Sequence, residues 1–245
     1  MPTYNTGPRL LETVRQALEY WRPVWVIVDG STDGGRELVE SKLKGAAGLR
    51  VISSPVNHGK GAAVLLGMAQ AVSEGYRNAL VMDADGQHPA DRIPQFMNLS
   101  EAEPDAMILG VPIFGPEAPF SRRYGRLIGN WWTQLETLWG GIGDAVFGFR
   151  VYPIRESLEV LSRTRRGRRF DFETELVVRL FWLGVRPINV PVPVTYLAAT
   201  DGGVSHFHLL KDNLLLVRTH TCLVLSALMK LPVLYQARRR QISSL

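Results

Sequence analysis

Apolar residues recur along this chain with two alternating periods. Leu10, Leu11, Val14, Ala17, Leu18 and Trp21 fall at helical spacing, which predicts an amphipathic helix over residues 9–21, ended by Pro23. The unbroken run Val24, Trp25, Val26, Ile27 and Val28 has strand length and suits a parallel strand covered on both faces. A turn over 29–35 follows. Next come a helix over 35–43, a strand over 49–53, a helix over 61–74, a strand over 79–82, a helix near 91–100 and a strand over 106–109. This alternation predicts right-handed crossovers and an α/β, Rossmann-like fold, with a mainly parallel sheet flanked by helices. Residues 1–5 read as a turn with no strand before them, which points to a late start or a truncated chain.

Beyond residue 110 the pattern changes. Pro112, Pro116 and Pro119 mark a loop before a helix carrying Arg122, Arg123, Arg126, Trp131, Trp132 and Trp139. Residues 147–152 read as a strand. A helix and a basic loop over 163–169 follow. Another helix then begins near 170, with acids in its first turn where the helix dipole favours them. Residues 185–196 alternate with prolines, so they form an edge strand at best. The apolar runs 214–217 and 222–229 are interrupted by Arg218, His220 and Lys230, broken by Pro232 and closed by Arg238-Arg239-Arg240. They are too short and too interrupted to span a bilayer. Two readings stand: a helix lying in the headgroup region, towards which the arginines tip, or one packed on the domain. The expected organisation is a domain over 1–206 and an amphipathic helical extension over 207–245.

Composition narrows the function. The chain has 245 residues, 46% hydrophobic and 21% charged, with a formal net charge of +5. A modest basic excess favours anionic partners. No basic stripe interleaved with aromatics appears, which argues against nucleic acid. The single cysteine, Cys222, excludes an internal disulfide and gives no zinc framework.

Chemistry concentrates where the strand over 79–82 ends, at Asp83-Ala84-Asp85-Gly86-Gln87. In an extended chain Asp83 and Asp85 point to the same side, and Gln87 keeps the parity. Two carboxylates held together need a proton or a cation between them. Oxygen ligands of this kind suit Mg²⁺ or Mn²⁺, which often share their shell with a phosphate. Asp29, at the end of another strand, is placed to accept a hydrogen bond from a base or ribose. Gly59-Lys60-Gly61 lacks the glycine and Ser/Thr of a Walker loop, yet puts a lysine at a helix N-terminus, where a diphosphate binds well. The 81–86 segment also fits the first motif of haloacid-dehalogenase-type phosphohydrolases, with Asp83 as nucleophile and Asp85 as acid/base.

Taken in order, Pro2-Thr3-Tyr4-Asn5, Val28-Asp29-Gly30-Ser31-Thr32-Asp33-Gly34, Gly59-Lys60-Gly61 and Asp83-Ala84-Asp85-Gly86-Gln87-His88-Pro89 resemble family 2 glycosyltransferases of the GT-A fold. The dolichyl-phosphate mannose synthase branch is the nearest in type. Gly148-Phe149-Arg150-Val151-Tyr152, Phe172-x-x-Glu175 and Val190-Pro191-Val192-Pro193 extend the likeness. Asp144, Arg150, Phe170-Asp171-Phe172-Glu173 and Ser205-His206-Phe207 look closer still to glycosyltransferases of bacterial aryl-polyene and xanthomonadin-type pigment pathways. The resemblance implies an inverting transfer of a hexose from a nucleotide diphosphate sugar to a lipid, either polyprenyl phosphate or a pigment-type acceptor. The enzyme would be cytoplasmic and peripheral at the inner face of the cell membrane. It implies that Pro2, Tyr4, Ile27 and Asp29 hold base and ribose, with Lys60 near the nucleotide. Asp83, Asp85 and Gln87 would hold Mg²⁺ or Mn²⁺. Arg122 and Arg123 would meet diphosphate or acceptor phosphate. Asp144 would serve as catalytic base if the acceptor is a hydroxyl, and Arg150, Glu175, Ser205 and His206 would lie on the acceptor side. Departures sit mostly at that end: Pro112 stands where an arginine is expected and His206 where a lysine is, which leaves the acceptor open and, with these cations lost, keeps a non-catalytic nucleotide-sugar binder as an alternative reading.

Overall fold

The computed structural model describes residues 1–115, 120–164, 171–194, 209–232, 234, 235 and 238; the side chains of 120–124 and 209–213 are outside that set. The elements run β1 (Pro2–Thr3), α1 (Arg9–Tyr20), β2 (Val24–Asp29), α2 (Gly35–Lys42), β3 (Leu49–Ser54), α3 (Lys60–Ser73), β4 (Asn78–Val81), α4 (Ile93–Ala102), β5 (Met107–Phe114), α5 (Phe120–Glu136), β6 (Arg150–Pro153), α6 (Ile154–Arg163), α7 (Phe172–Trp182), β7 (Pro187–Val194) and α8 (Leu209–Met229). A single 3₁₀ turn, Ala90–Arg92, leads into α4.

The strands make two sheets. In the first, β1, β2 and β3 are parallel. Residues 2 and 3, expected to be turn, are in fact a short strand: Pro2 pairs with Ile27 and Thr3 with Val28. The second sheet has the order β4-β6-β5-β7. Here β6 runs antiparallel between β4 and β5, an insertion the helix–strand alternation did not announce. Val81 of β4 pairs with Arg150, which brings the 144–149 turn against the Asp83 segment.

Helices cover both sides, and two apolar cores result. Leu10, Val14 and Leu18 of α1 pack with Val26, Phe96 and Ile108; Val64 and Met68 of α3 pack with Leu176, Phe181 and Leu223. The proline-rich segment is indeed an edge strand. In β7, Val190, Val192 and Val194 are buried against β5 while Pro191 and Pro193 face outwards. On an edge the missing N–H groups cost no ladder bond.

Two expected bounds shift for physical reasons. The strand expected from 147 begins at Arg150, because Asp144 Oδ1 accepts the backbone N–H groups of Val146 and Phe147 at 2.9 and 2.7 Å. Helix α5 stops at Glu136, short of Trp139; Leu138 and Trp139 take positive φ, and Trp139 N–H closes the end on Gln134 O at 2.7 Å.

Helix α8 is continuous over 21 residues. One face, with Thr219, His220, Leu223 and Ala227, is buried. His220 Nδ1 meets Glu136 Oε1 of α5 at 2.7 Å, and Thr219 Oγ1 donates to Asp171 Oδ2 at 3.1 Å. Leu214, Val217, Leu225 and Leu228 are exposed on the rest. Among the described residues no helix is long and apolar enough to cross a membrane.

Candidate functional site

The site lies where β2 and β4 end and where β6 begins. On the β2 side two loops clasp each other. Asn5 N–H donates to Ser31 Oγ at 3.1 Å, Thr32 N–H to Asn5 Oδ1 at 2.8 Å, and Gly7 N–H to Asp33 Oδ2 at 2.5 Å. Asp29 is almost fully buried, and its carboxylate accepts the backbone N–H groups of His58 at 3.0 Å and Gly59 at 2.7 Å. It therefore fixes the loop that delivers Lys60. Gly30 allows this closeness, since a Cβ there would stand 2.4 Å from Asn57 N. Pro2 is buried in β1, and Tyr4 is 38% exposed. Ile27 is buried and packs towards Gly67 of α3, so it backs the site from the core instead of lining it.

At the β4 end the charges are unbalanced. Lys60, the first residue of α3, places its Nζ 2.5 Å from Asp83 Oδ1 and in contact with Glu173 Oε1 of α7. Burial alone would lower the Lys60 pKa; Asp83 and Glu173 overcome that and raise it. Burial likewise works to raise the Asp83 pKa, but Lys60 and then His88 hold it well below the usual carboxylate range. Asp85 differs: burial first, and the Asp83 charge second, push its carboxyl up, while Oδ1 accepts the Gln87 N–H at 3.0 Å. Gln87 is half-buried beside them. His88 stacks on Phe149 and meets Phe147 at a tilt, with Nε2 3.5 Å from Asp83 Oδ2. Gly148 completes the cradle: a Cβ there would sit 2.4 Å from Asp83 Oδ2.

Three carboxylates against one ammonium leave two formal negative charges in this cluster. That imbalance and the all-oxygen donor set fit a divalent cation such as Mg²⁺ or Mn²⁺. Among the described residues no group of three His, Cys, Asp or Glu is arranged to hold a metal unaided. Asp83 and Asp85 with Gln87 would supply part of a shell, and phosphate oxygens the remainder.

The Asp144 cluster has the opposite balance. Asp144 Oδ1 pairs with Arg126 Nη1 at 2.8 Å and lies 3.8 Å from Arg150 Nη2; Oδ2 accepts from Asn130 Nδ2 at 3.2 Å. Burial works to raise its pKa, but Arg126 and then Arg150 lower it on balance. The expected base at this position is thus a carboxylate whose basicity is suppressed. Arg150 is fully buried, donating to Tyr152 Oη at 3.1 Å and to Asp144 O at 2.9 Å. It is a structural cation and does not reach an acceptor cleft. Glu175 is also buried and holds Arg179 at 2.9 Å. Arg122 and Arg123 fall in the first turns of α5, with side chains outside the described set, and Ser205 and His206 lie outside the described residues.

The structure adds Glu173, His88, Arg126 and Asn130 to the residues the sequence singled out. Of these, His88 and Glu173 had a local signal, their places in the motif segments 83–89 and 170–173. Glu173 read as a first-turn acid within such a segment, and nothing local showed that it meets Lys60.

The chain is similar to several known proteins. A dolichyl-phosphate beta-glucosyltransferase of Trichomonas vaginalis is 29% identical over 197 residues, which is 73% of this chain and 57% of that protein. An undecaprenyl-phosphate mannosyltransferase of Micrococcus luteus is 24% identical over 209 residues, 78% of this chain and 80% of its own. The chain thus spans little more than half of the first relative. Glucosyl-3-phosphoglycerate synthase from Mycobacterium tuberculosis, solved with Mn²⁺, UDP and glucosyl-3-phosphoglycerate, shares the fold. Its TM-score is 0.62 at 17% identity, covering 92% of this chain and 77% of that one. The family described as Glycosyl transferase family 2 matches residues 1–160. That match contains the Asp-x-Asp segment, and β4 is the fourth strand, not the opening one, so the phosphohydrolase alternative is set aside. The fold is GT-A-like α/β, and the chain belongs to glycosyl transferase family 2.

Proposed function

We propose that this chain is a metal-dependent, inverting hexosyltransferase that moves a sugar from a nucleotide diphosphate sugar to a lipid phosphate at the cytoplasmic membrane face. The observation that carries this reading is the cluster of Asp83, Asp85 and Glu173, with two negative charges in excess, at the strand end of a family 2 fold. Bound there, a divalent cation would neutralise the departing nucleoside diphosphate. The chain's own residues do the rest. Asp29 fixes the 57–59 loop, Lys60 offers an ammonium beside the diphosphate position, and Gly148 leaves room for Asp83.

Asp144 supports an acceptor that needs no base, because Arg126, Asn130 and two backbone N–H groups already engage its carboxylate. A hydroxyl acceptor, such as a pigment phenol, needs a base, and the pKa of Asp144 is held low. A lipid phosphate is already ionised and needs none. The names of the polyprenyl-phosphate relatives support the same choice. Exposed apolar side chains support a lipid acceptor too: Leu127, Ile128 and Trp131 on α5 and Leu214, Val217, Leu225 and Leu228 on α8 stand on two packed helices. An apolar helical face of this kind lies in a headgroup layer.

The test is a transfer assay with UDP- and GDP-hexoses, Mn²⁺ and three acceptors: a polyprenyl phosphate, the matching polyprenol and a phenolic lipid. The expected result is transfer to the phosphate only. Transfer to the alcohols alone would overturn the acceptor, and nucleotide-sugar binding with no transfer to any acceptor would show a non-catalytic binder.

A further inference from the structure

Lys60 is shared between two carboxylates on different elements, and the sharing is unequal in kind. Asp83 stands in the cluster assigned above to the cation, with 29% of its side chain exposed. Glu173 stands behind it on α7, with only 5% exposed. The Lys60 ammonium, 18% exposed, lies between them at the N-terminus of α3. A cation placed on Asp83 would meet this ammonium as a like charge in a poorly solvated setting, where Coulomb terms are several times larger than in water.

We propose that Lys60 and Glu173 form a counter-ion latch. In the free protein Lys60 neutralises Asp83. When the site is loaded, Lys60 leaves Asp83, keeps Glu173 as its anchor and turns its free N–H groups to the diphosphate. Glu173 is then a positioning residue: it acts through Lys60 and gives the displaced ammonium a place to stay. This rests on the reading of Asp83 and Asp85 as the cation site. Cation and nucleotide then bind as a cooperative pair. Without a diphosphate, displacing Lys60 costs the cation affinity; with one, Lys60 gains a new partner.

The geometry supports the direction of the movement. Lys60 begins its helix, so only its side-chain torsions need change, and α3 stays fixed by the Asp29 bonds to the loop before it. Glu173 is held in place by its own helix and by Arg150, which donates to its backbone carbonyl at 3.5 Å.

The test is Mn²⁺ titration by electron paramagnetic resonance, with and without UDP or GDP, on the full chain. Lys60→Met is expected to bind Mn²⁺ about tenfold more tightly than wild type without nucleotide, about 1.4 kcal/mol. The gain in Mn²⁺ affinity caused by nucleotide is expected to shrink at least fivefold. Glu173→Gln is expected to weaken Mn²⁺ binding in the wild-type background and to change it less than twofold in Lys60→Met, because a residue acting through another is not additive with it. Unchanged or weaker Mn²⁺ binding in folded Lys60→Met would overturn the latch, and additive effects of the two substitutions would overturn the role of Glu173. If wild type binds no Mn²⁺ even with nucleotide, the cation site itself is wrong and the latch falls with it. That outcome is distinct from Asp85-dependent binding that ignores Lys60.

Discussion

Asp83 and Asp144 both flank strands of the second sheet, and both meet a basic side chain within 3 Å. Their surroundings nevertheless differ in kind. Around Asp83 the negative charge exceeds the positive: Glu173 shares its one lysine, and the Asp85 carboxyl lies close enough to feel its charge. Around Asp144 two arginines, an asparagine and two backbone N–H groups meet one carboxylate. The first cluster has carboxylates in excess, which the proposed cation would balance; in the second the carboxylate is matched by the groups around it. The two touch at Glu173, whose carboxylate holds Lys60 while its carbonyl accepts from Arg150. On the proposed reading, charge balance separates a ligand site from the frame that aims it, a difference that residue type alone does not show.

The sharpest way to break this contrast is to remove one carboxylate from each cluster. Asp85→Ala is expected to cut nucleotide-sugar turnover by about a thousandfold, the scale of a lost charge partner in the transition state. The melting temperature should hold or rise, because burial and Asp83 already disfavour the Asp85 charge. Full turnover in this variant would remove the site from consideration.

Asp144→Ala should do the reverse. It strands buried Arg150 and half-buried Arg126 and is expected to cost about 3–5 kcal/mol. For a chain of this size that is a fall of roughly 10 °C in melting temperature. The pH dependence follows from the lowered pKa. The unfolded chain takes up the proton first as pH falls below 3.8, so stability is present above that value and is lost through the depressed folded value. Denaturant titration at pH 3 to 6 should show a flatter acid limb for Asp144→Asn than for wild type.

Gly148→Ala sharpens the comparison from between the clusters. Its Cβ would displace Asp83 or the turn, costing about 1–3 kcal/mol in stability and weakening Mn²⁺ binding in isothermal titration. Unaltered Mn²⁺ affinity would mean that the turn does not set the Asp83 position.

The smallest expected effect on the fold comes from the outer helices. Exposed Trp131→Ser and Leu225→Ser should change stability by no more than about 0.5 kcal/mol each. Together they should reduce sedimentation with anionic phospholipid vesicles several-fold. Unreduced sedimentation would show that this face does not meet lipid.

What the sequence could show follows the range of its signals. Helix α1, strand β2 and the Asp83-Ala84-Asp85 turn declare themselves within a few residues, by period and by turn chemistry. The two-residue strand β1 is too short to carry a period and exists only by pairing with β2. The insertion of β6 between β4 and β5 depends on distant partners, as do the contacts of Arg126 with Asp144 and of Lys60 with Glu173. Arg150 and Glu175 illustrate the cost of this. Both read as acceptor-side groups, and both are buried with partners of their own. Charge type was legible locally; charge balance was not.

The central claim is that Asp83 and Asp85 hold a divalent cation against a nucleotide diphosphate. Thermal-shift measurement of wild type and Asp85→Ala with UDP- and GDP-sugars, each with and without Mn²⁺, tests it most directly, since a ligand of the folded state raises the melting temperature by mass action. The account predicts that at least one nucleotide sugar stabilises wild type only when Mn²⁺ is present, and that Asp85→Ala loses this shift. An equal shift without Mn²⁺, or an undiminished one in Asp85→Ala, would contradict it.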